Sequence, residues 1–407
     1  MYEQIKQFMR KPNYDKFPST VIAGTIFQGW DEIRGVLSDC LKSKNVLAVD
    51  CYTGVYEEEL VRELSKLSAR LVLVRDLYKE ESELRCMTER FMTEDVLFGY
   101  VTNLCISDYF DAEKLEDARR CACGASTPLI IIGTGAGMVA PGATLVYVDM
   151  ARWEIQQRCR RHEVKALGID NREDAVSLQY KRGYFNDWRI CDRYKSTLFE
   201  HVDYWLDSHI PGSPKMIDRE TFYKGINKTA SKPFRVVPYF DQAPWGGQWM
   251  KEVCDLDPDV PNYGWCFDCV PEENSLYLEV NGVRFELPSV DLVLLKSKEL
   301  LGEPVEARFG KEFPIRFDFL DTMGGGNLSL QVHPTTQFIH ENFGMFYTQD
   351  ESYYLLDAEE DAVVYLGVRN GTDSKEMIEE LRRAQRGETV FDAEKYVNKI
   401  PAKKHDH

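Results

Sequence analysis

The stretch that most constrains the fold runs from residue 313 to residue 357 and has the two-residue period of a β-strand. Its first part alternates apolar and polar positions in the order Ile315, Arg316, Phe317, Asp318 and Phe319. After a run of three glycines, Leu328, Leu330 and Val332 resume the alternation. Side chains of a strand point alternately to its two faces, and glycines favour the turn between strands. We therefore predict two β-strands joined by a turn.

The second strand carries two polar side chains that leave the same face, Gln331 and His333. Pro334 cannot donate to a sheet ladder, so the strand is expected to end there. A carboxylate, Glu351, lies eighteen residues further on, before the strand-like run at 353–355. An amide oxygen, an imidazole and a carboxylate suit zinc or a harder divalent ion. The pattern thus predicts a metal site.

The same pattern has a simpler interpretation. His333 could be a hydrogen-bonded core histidine while Gln331 and Glu351 face solvent, because polar residues at positions i and i+2 are common at the edge of any sheet. Spacing alone leaves both interpretations open.

Several strings of residues resemble one family, the catalytic cupin of class I mannose-6-phosphate isomerases. The resemblance covers roughly residues 233–407 and is most specific at the string LSLQVHP. The other similar strings are WGG at 245–247, QDESYY at 349–354, LLDAEEDAVVYLG at 355–367 and RRAQRGETVFDAEKYVNKIPAKKHDH at 382–407. A motif is informative only in its expected structural context, which here is a strand that ends in QVHP.

The resemblance implies a fold, a reaction and a set of metal ligands. The fold is an all-β cupin or jelly roll, and the reaction interconverts mannose 6-phosphate and fructose 6-phosphate with a divalent metal, zinc. Gln331, His333 and Glu351 match three of the family's metal ligands, whereas no residue of this chain can be assigned as the general base. A sugar phosphate is therefore the expected small-molecule partner.

The chain departs from the family pattern at two positions. The family continues beyond the equivalent of His407 into a strand that carries a fourth ligand, so we expect an incomplete cupin that lacks this ligand unless His405 or His407 substitutes for it. Family members also often carry a lysine before the glycine-rich turn, where this chain has Asp318. Both differences bear on whether this chain is an active isomerase.

Composition excludes some classes of partner. With 67 acidic and 50 basic residues the formal charge is −17, so broad binding to nucleic acid or to an anionic membrane is not expected. Apolar runs are too short to span a membrane, and charges interrupt residues 1–17, as they would not in a secretory signal. The eleven cysteines, an odd number, suggest reduced thiols and a cytoplasmic protein. Cys266 and Cys269 have CxxC spacing, which fits buried thiols or a structural metal.

Residues 1–210 have the pattern of an α/β domain with a parallel sheet. Apolar strands and amphipathic helices alternate between residues 33 and 76. The order of later pieces, TEDVLFG, DYFD, PLIIIGTGAG and LVYVDMARWEIQQRCRR, resembles P-loop kinases of the uridine kinase class. The turn after the first strand, DCYTGVYEEEL, has no lysine and three glutamates. This turn therefore does not have the sequence of a phosphate-binding loop.

Two further features of this domain have a functional and a structural interpretation. Gly133, Gly135 and Gly137 are spaced GxGxG rather than GxGxxG, which favours a turn over a dinucleotide loop. A run of basic residues could bind an anion, although a solvated helix face with ion pairs is the more common arrangement. The run consists of Arg152, Arg158, Arg160, Arg161, Lys181, Arg182, Arg189 and Arg193.

Composition also suggests where one domain ends and the next begins. Residues 211–232 are rich in Pro, Gly, Ser and Lys and are predicted to form a linker between the α/β domain and a partial cupin at 233–407. Strands are expected at FRVVPYF, SLYLEV, NGVRFEL and DLVLLK, with Asn281 and Gly282 in a hairpin turn. A single helix is expected, with Ser374 as its N-cap. Besides an isomerase, the sequence allows a non-catalytic cupin that binds a sugar or sugar phosphate, or a small-molecule kinase in the N-terminal domain.

Overall fold

A computed structural model describes residues 12–407 of the chain, so the N-terminal residues tested above for a secretory signal lie in part outside the described region. Its largest sheet has seven strands, in the spatial order β2-β8-β7-β6-β3-β5-β4. The strands up to residue 218 are β1 (Ser19–Ile22), which belongs to another sheet, β2 (Ile26–Gln28), β3 (Val46–Cys51), β4 (Arg70–Leu73), β5 (Leu129–Ile132), β6 (Thr144–Asp149), β7 (Tyr204–Asp207) and β8 (Lys215–Asp218).

Helices connect these strands. They are α1 (Gly29–Lys44), α2 (Glu57–Leu64), α3 (Glu81–Met92), α4 (Ala112–Cys123), α5 (Ala136–Val139), α6 (Arg152–Arg160), α7 (Val176–Arg182), α8 (Trp188–Leu198) and α9 (Arg219–Ala230). A π-helical turn, Gly183–Asp187, makes α7 and α8 one continuous rod. The predicted α/β architecture with a parallel sheet is confirmed, because β4, β5, β3, β6 and β7 are parallel neighbours.

The middle strands are buried along their whole length. Every residue of β5 and β6 is buried, and β3 is buried from Leu47 onward. Continuous apolar runs of this kind are typical of parallel strands covered on both faces. Trp205 of β7 stacks on Phe222 of α9 with ring centroids 3.7 Å apart, which extends the core to the antiparallel edge of the sheet.

The segment predicted to be a linker holds regular structure instead. Residues 215–218 form β8 inside the main sheet, and residues 219–230 form α9, whose Phe222 and Ile226 are fully buried. Pro and Gly in this segment mark the turn before β8 rather than an exposed connection. One hydrophobic core extends from Ile22 to Leu292, so packing does not separate the chain at residue 232.

After residue 232 the strands form small sheets. They are β9 (Tyr239–Asp241), β10 (Trp265–Cys269), β11 (Ser275–Val280), β12 (Val283–Pro288), β13 (Phe317–Leu320), β14 (Val363–Val368) and β15 (Val397–Pro401). The sheets are β1-β11-β12, β13-β10-β9 and β14-β15. The β-rich character of this part agrees with the prediction. Within the described residues the strands form these short sheets rather than one closed barrel.

The predicted hairpin at Asn281 and Gly282 is confirmed. Val280 of β11 pairs with Val283 of β12, so the turn consists of Asn281 and Gly282 alone. Their φ angles are +52° and +83°, as a type I′ turn requires. Strand β1 then pairs in parallel with β11, which joins the first described strand to residues 275–288.

Several strands predicted for this part are wrong, and so is the expectation that it contains a single helix. The helices of this part are α10 (Trp249–Val253), α11 (Val290–Leu301), α12 (Glu303–Phe309), α13 (Thr336–Phe343), α14 (Ser374–Gln385) and α15 (Ala393–Tyr396). The run DLVLLK lies in α11, since its apolar residues continue at helical spacing to Leu301. Helix α14 is confirmed, with Asp373 rather than Ser374 as its N-cap.

The strands predicted at 328–332 and 353–355 are irregular. Val332 is 89% exposed, and within residues 313–407 the buried apolar side chains are Ile339, Tyr396, Val397 and Ala402. A strand of alternating pattern forms when a facing layer covers its apolar side. No such layer covers Leu330 and Val332 among the described residues, which explains why the alternation does not give a strand. Among residues 12–407, no helix is long and apolar enough to cross a membrane.

Candidate functional site

Two of the three predicted metal ligands lie side by side. His333 Nε2 is 3.1 Å from Glu351 Oε2, and the two side chains are 29% and 31% exposed. His333 Nδ1 lies 2.9 Å from the backbone oxygen of Gln349, an acceptor, so Nδ1 donates its proton there. With Nδ1 donating to this carbonyl, Nε2 would carry the lone pair in a neutral ring that binds a metal, and it would donate to Glu351 in a protonated ring. This is the orientation in which a second group fixes the tautomer of a metal-binding histidine.

Residues 334–348, which we call the connecting segment, join the two halves of this pair. The segment contains α13 and closes at its base, where the Thr348 hydroxyl donates to the backbone oxygen of Pro334 at 2.5 Å. Gln349 also donates from Nε2 to Glu351 Oε2 at 3.3 Å. His333 and Glu351 are thus brought together by the two ends of a segment that contains a helix, and not by neighbouring strands. The sequence pattern did not predict this arrangement.

The third predicted ligand is not joined to the pair. Gln331 is exposed, and its side chain makes no hydrogen bond within residues 12–407. Of the two C-terminal histidines considered as substitutes, His405 pairs through Nδ1 with the Tyr354 hydroxyl at 2.7 Å. No group of three or more His, Cys, Asp or Glu side chains with metal-binding geometry occurs in the described part of the chain. The three-ligand site, and CxxC metal binding at Cys266 and Cys269, stay predictions.

The geometry of the pair fits two ligands of one ion. Zn²⁺ bonds imidazole nitrogen and carboxylate oxygen at about 2.0–2.2 Å, so two tetrahedral ligands lie about 3.3 Å apart. The observed separation of 3.1 Å between His333 Nε2 and Glu351 Oε2 is close to that value. The donor set of one nitrogen and one anionic oxygen suits zinc as well as harder divalent metals.

Asp318, which stands where family members often carry a lysine, faces the same region. It lies on β13, and its Oδ1 is buried without a hydrogen-bond partner among the described residues. Burial, then the nearby carboxylate of Glu273 and more weakly that of Glu351, raise the pKa of Asp318 to about 6, although Arg316 opposes this. The residue thus contributes negative charge or a proton near Glu351, where a lysine would contribute positive charge.

The crevice at the carboxyl ends of the parallel strands is occupied by the protein's own groups. The backbone amides of Gly135 and Gly137 donate to the Asp50 carboxylate at 3.1 and 2.7 Å, and Tyr194 donates to it at 2.6 Å. The glycine loop therefore holds an internal carboxylate, in agreement with its interpretation as a structural turn. In the turn after β3, the Arg158 guanidinium donates to the backbone oxygen of Gly54 at 2.9 Å.

The arginines predicted to form a solvated face are in part buried. Arg158 is fully buried and Arg152 nearly so, and Arg152 pairs with Asp192. Arg158 donates to three carbonyl oxygens in two loops, those of Gly54, Ser208 and His209, so its guanidinium stabilises the inside of the protein. The prediction of a solvated helix face is wrong for these two residues, because the helix that carries them packs over the carboxyl end of the sheet. It is also wrong for Lys181 and Arg182, which are buried too.

The buried Asp50 gives a pH-dependent prediction. Burial raises its pKa from 3.8 to about 6, an effect that hydrogen bonds from Tyr194, Gly137 and Gly135 only partly offset. The folded state therefore binds the Asp50 proton more tightly than the unfolded state does. The stability that this proton adds to the folded state is lost as pH rises through about 6. Asparagine does not titrate, so between about pH 4 and pH 7 the free energy of unfolding of Asp50→Asn should rise by about 2 kcal/mol relative to that of the wild type. Urea denaturation across this range tests it, and a difference independent of pH would contradict it.

Two of the comparisons with known proteins found similarities. A family model described as a domain of unknown function (DUF8485) matches residues 29–231, the region of the seven-stranded sheet. No curated protein matches the chain. Among solved structures, the mannose 6-phosphate isomerase from Bacillus subtilis is similar to 42% of this chain, with 20% identity and a TM-score of 0.33. The matched region spans half of that isomerase's length.

Proposed function

We propose that the chain is a metal-dependent aldose-ketose isomerase that interconverts mannose 6-phosphate and fructose 6-phosphate. The observation that supports this most is the His333–Glu351 pair, in which Nε2 lies 3.1 Å from a carboxylate oxygen and Nδ1 is held by the backbone oxygen of Gln349. The pair occurs within the strings LSLQVHP and QDESYY, which resemble the isomerase family. The sugar phosphate and the zinc ion both come from that resemblance.

His333 and Glu351 would hold the metal, and Gln331 would join them by turning its exposed side chain toward the pair. A bound divalent ion would stabilise negative charge that develops on the sugar oxygens. Gln349 would keep His333 in the tautomer that can bind metal, through its backbone oxygen. Asp318 would be the group that accepts a proton near neutral pH. Its pKa is about 6, and its Oδ1 has no hydrogen-bond partner among the described residues.

The decisive experiment is a coupled assay of fructose 6-phosphate formation from mannose 6-phosphate, with zinc added. Glu351→Gln keeps the size of the side chain but removes its charge, so we expect activity to fall at least about 100-fold. Glu341→Gln, an exposed glutamate on α13, is the matched control and should retain wild-type activity. Equal activity of wild type and Glu351→Gln, or no turnover by the wild type with any divalent metal, would contradict the isomerase proposal.

A second candidate function is a non-catalytic domain that binds a sugar or sugar phosphate. Gln331 is exposed and makes no hydrogen bond to the His333–Glu351 pair, which favours this candidate, because an incomplete ligand set holds a metal weakly. Saturable binding of mannose 6-phosphate by calorimetry without any turnover would support this candidate over the isomerase.

A further inference from the structure

A loop of the N-terminal part contacts the connecting segment at the end of α13. The Phe98 and Phe343 rings are stacked, with centroids 4.8 Å apart and planes 23° from parallel. Next to this stack, the backbone amide of Val101 donates to the backbone oxygen of Phe343 at 2.9 Å. The last carbonyl oxygens of a helix lack partners within it, so this bond satisfies one of them. The contact therefore caps α13 as well as covering its apolar end.

The same loop also contacts Gly344, the residue that follows α13. Gly344 has a φ of +68°, which most other residues adopt only with strain. A Cβ atom at this position would lie 2.7 Å from the ring of Tyr100. Both the backbone conformation and the close approach of Tyr100 thus require glycine here, which indicates a fitted contact rather than an incidental one.

The loop itself is held firmly by the N-terminal part. The amide of Tyr100 donates to the backbone oxygen of Phe91 at 2.8 Å, and the amide of Thr102 donates to that of Phe185 at 2.9 Å. Phe185 is buried in the π-helical turn, and its ring lies edge-on to Phe98 with centroids 6.4 Å apart. The loop is therefore anchored to the N-terminal part by backbone hydrogen bonds on the side where α13 contacts it.

The connecting segment has little packing of its own. Ile339 is its buried apolar side chain, whereas Phe338 and Phe346 are exposed. Its two ends adjoin the pair: His333 directly precedes Pro334, and Gln349, whose backbone oxygen accepts from His333, directly follows Thr348 and lies two residues before Glu351. A shift of α13 would therefore move the Gln349 carbonyl oxygen that orients His333, and with it the carboxylate of Glu351.

We propose that Phe98, together with the backbone of Val101, positions the His333–Glu351 pair by fixing the connecting segment. Phe98 touches neither member of the pair, so it is a positioning residue and not a catalytic one. Its importance for catalysis rests on the proposed function, whereas its effect on the geometry of the pair does not. The proposal assigns the N-terminal part a role in holding the candidate site.

The test is hydrogen–deuterium exchange of the full chain carrying Phe98→Ala. We expect the amides of residues 345–352 to exchange about three- to tenfold faster, because an aromatic stack of this size is lost. Phe343→Ala, which removes the other ring, should give the same regional change. Leu97→Ala is the matched control, since Leu97 is an exposed neighbour that takes no part in the stack, and it should leave exchange unchanged.

A second measurement uses the zinc ion alone as the probe. Titration calorimetry should give an affinity of Phe98→Ala for zinc about three- to tenfold weaker than that of the wild type and of Leu97→Ala. Unchanged exchange at 345–352 in Phe98→Ala, or an increase spread equally over β3 and β5, would overturn the positioning role. If the wild type bound no zinc, the proposed function would fail, and the exchange experiment would still decide the positioning role by itself.

Discussion

Replacing Lys195 by methionine is expected to lower the free energy of unfolding by about 3 to 5 kcal/mol, because it leaves two buried carboxylates without a cation. Lys195 is fully buried, and its Nζ lies 3.1 Å from Asp149 Oδ2 and 2.6 Å from Asp291 Oδ1. Asp149 ends the parallel strand β6, whereas Asp291 lies in α11, more than 140 residues later in the chain. Lys195 therefore links the main sheet to the segment that follows the β11–β12 hairpin.

Chemical denaturation of Lys195→Met and the wild type measures this effect. Lys42→Met is the matched control, because Lys42 is exposed and pairs only with the exposed Asp39, and a loss well below 1 kcal/mol is expected for it. Burial raises the pKa of Asp291, and the neighbouring carboxylate of Asp149 adds to this effect while Lys195 opposes it. Loss of Lys195 should therefore be least harmful at low pH, where Asp291 is protonated. A loss below about 1 kcal/mol for Lys195→Met would contradict the account of this network.

Arg158→Ala is expected to destabilise the protein by a similar amount, about 3 to 5 kcal/mol, since three buried carbonyl oxygens lose their donor. The guanidinium donates to Gly54 at 2.9 Å and to Ser208 and His209 at 3.1 Å each. It also lies 3.8 Å from the centre of the Tyr56 ring, a favourable cation–π distance. The side chain therefore ties the turn after β3 to the turn after β7.

Arg158→Lys separates charge from geometry in this prediction. Lysine keeps the charge but cannot present donors in the planar fork that reaches three carbonyl oxygens, so it should restore less than half of the lost stability. Arg161→Ala, an exposed residue next to the same helix, is the control and should cost little. If Arg158→Ala were no more destabilising than Arg161→Ala, the buried network would not have the importance given to it here.

The sequence predicted the α/β half of the fold well because its signals are local. Buried strands such as β5 and β6 are continuous apolar runs, and the helices between them have a clear apolar stripe. The turn at Asn281 and Gly282 is equally local, since two residues with positive φ define it. None of these features needs information about distant parts of the chain.

The errors arose where the outcome depends on what lies opposite in space. Leu330 and Val332 alternate like a strand but have no covering layer among the described residues, and they remain irregular. Arg158 has the spacing of a solvent-facing residue, yet the carboxyl end of the sheet buries it. Similarly, turn-rich residues 211–232 enter the core because β8 pairs with β7, a contact that composition does not reveal.

The candidate site shows both situations. The strings around His333 and Glu351 predicted that these side chains belong together, and the two lie 3.1 Å apart. The contact of the connecting segment with Phe98 was not predicted, because its partner loop is more than 200 residues away. Helix α13 itself was missed although Thr335 and Gly344 are its N-cap and C-cap, both of which are sequence signals. Gln331 is exposed because the strand predicted to carry it at 328–332 does not form.

The central claim is that His333 and Glu351 bind one divalent ion, and crystals grown with zinc test it most directly. An anomalous difference map at the zinc absorption edge should show a peak about 2 Å from both His333 Nε2 and Glu351 Oε2, and the peak should disappear in Glu351→Gln. A zinc-loaded crystal without a peak at this pair, or with an equal peak in Glu351→Gln, would contradict the claim.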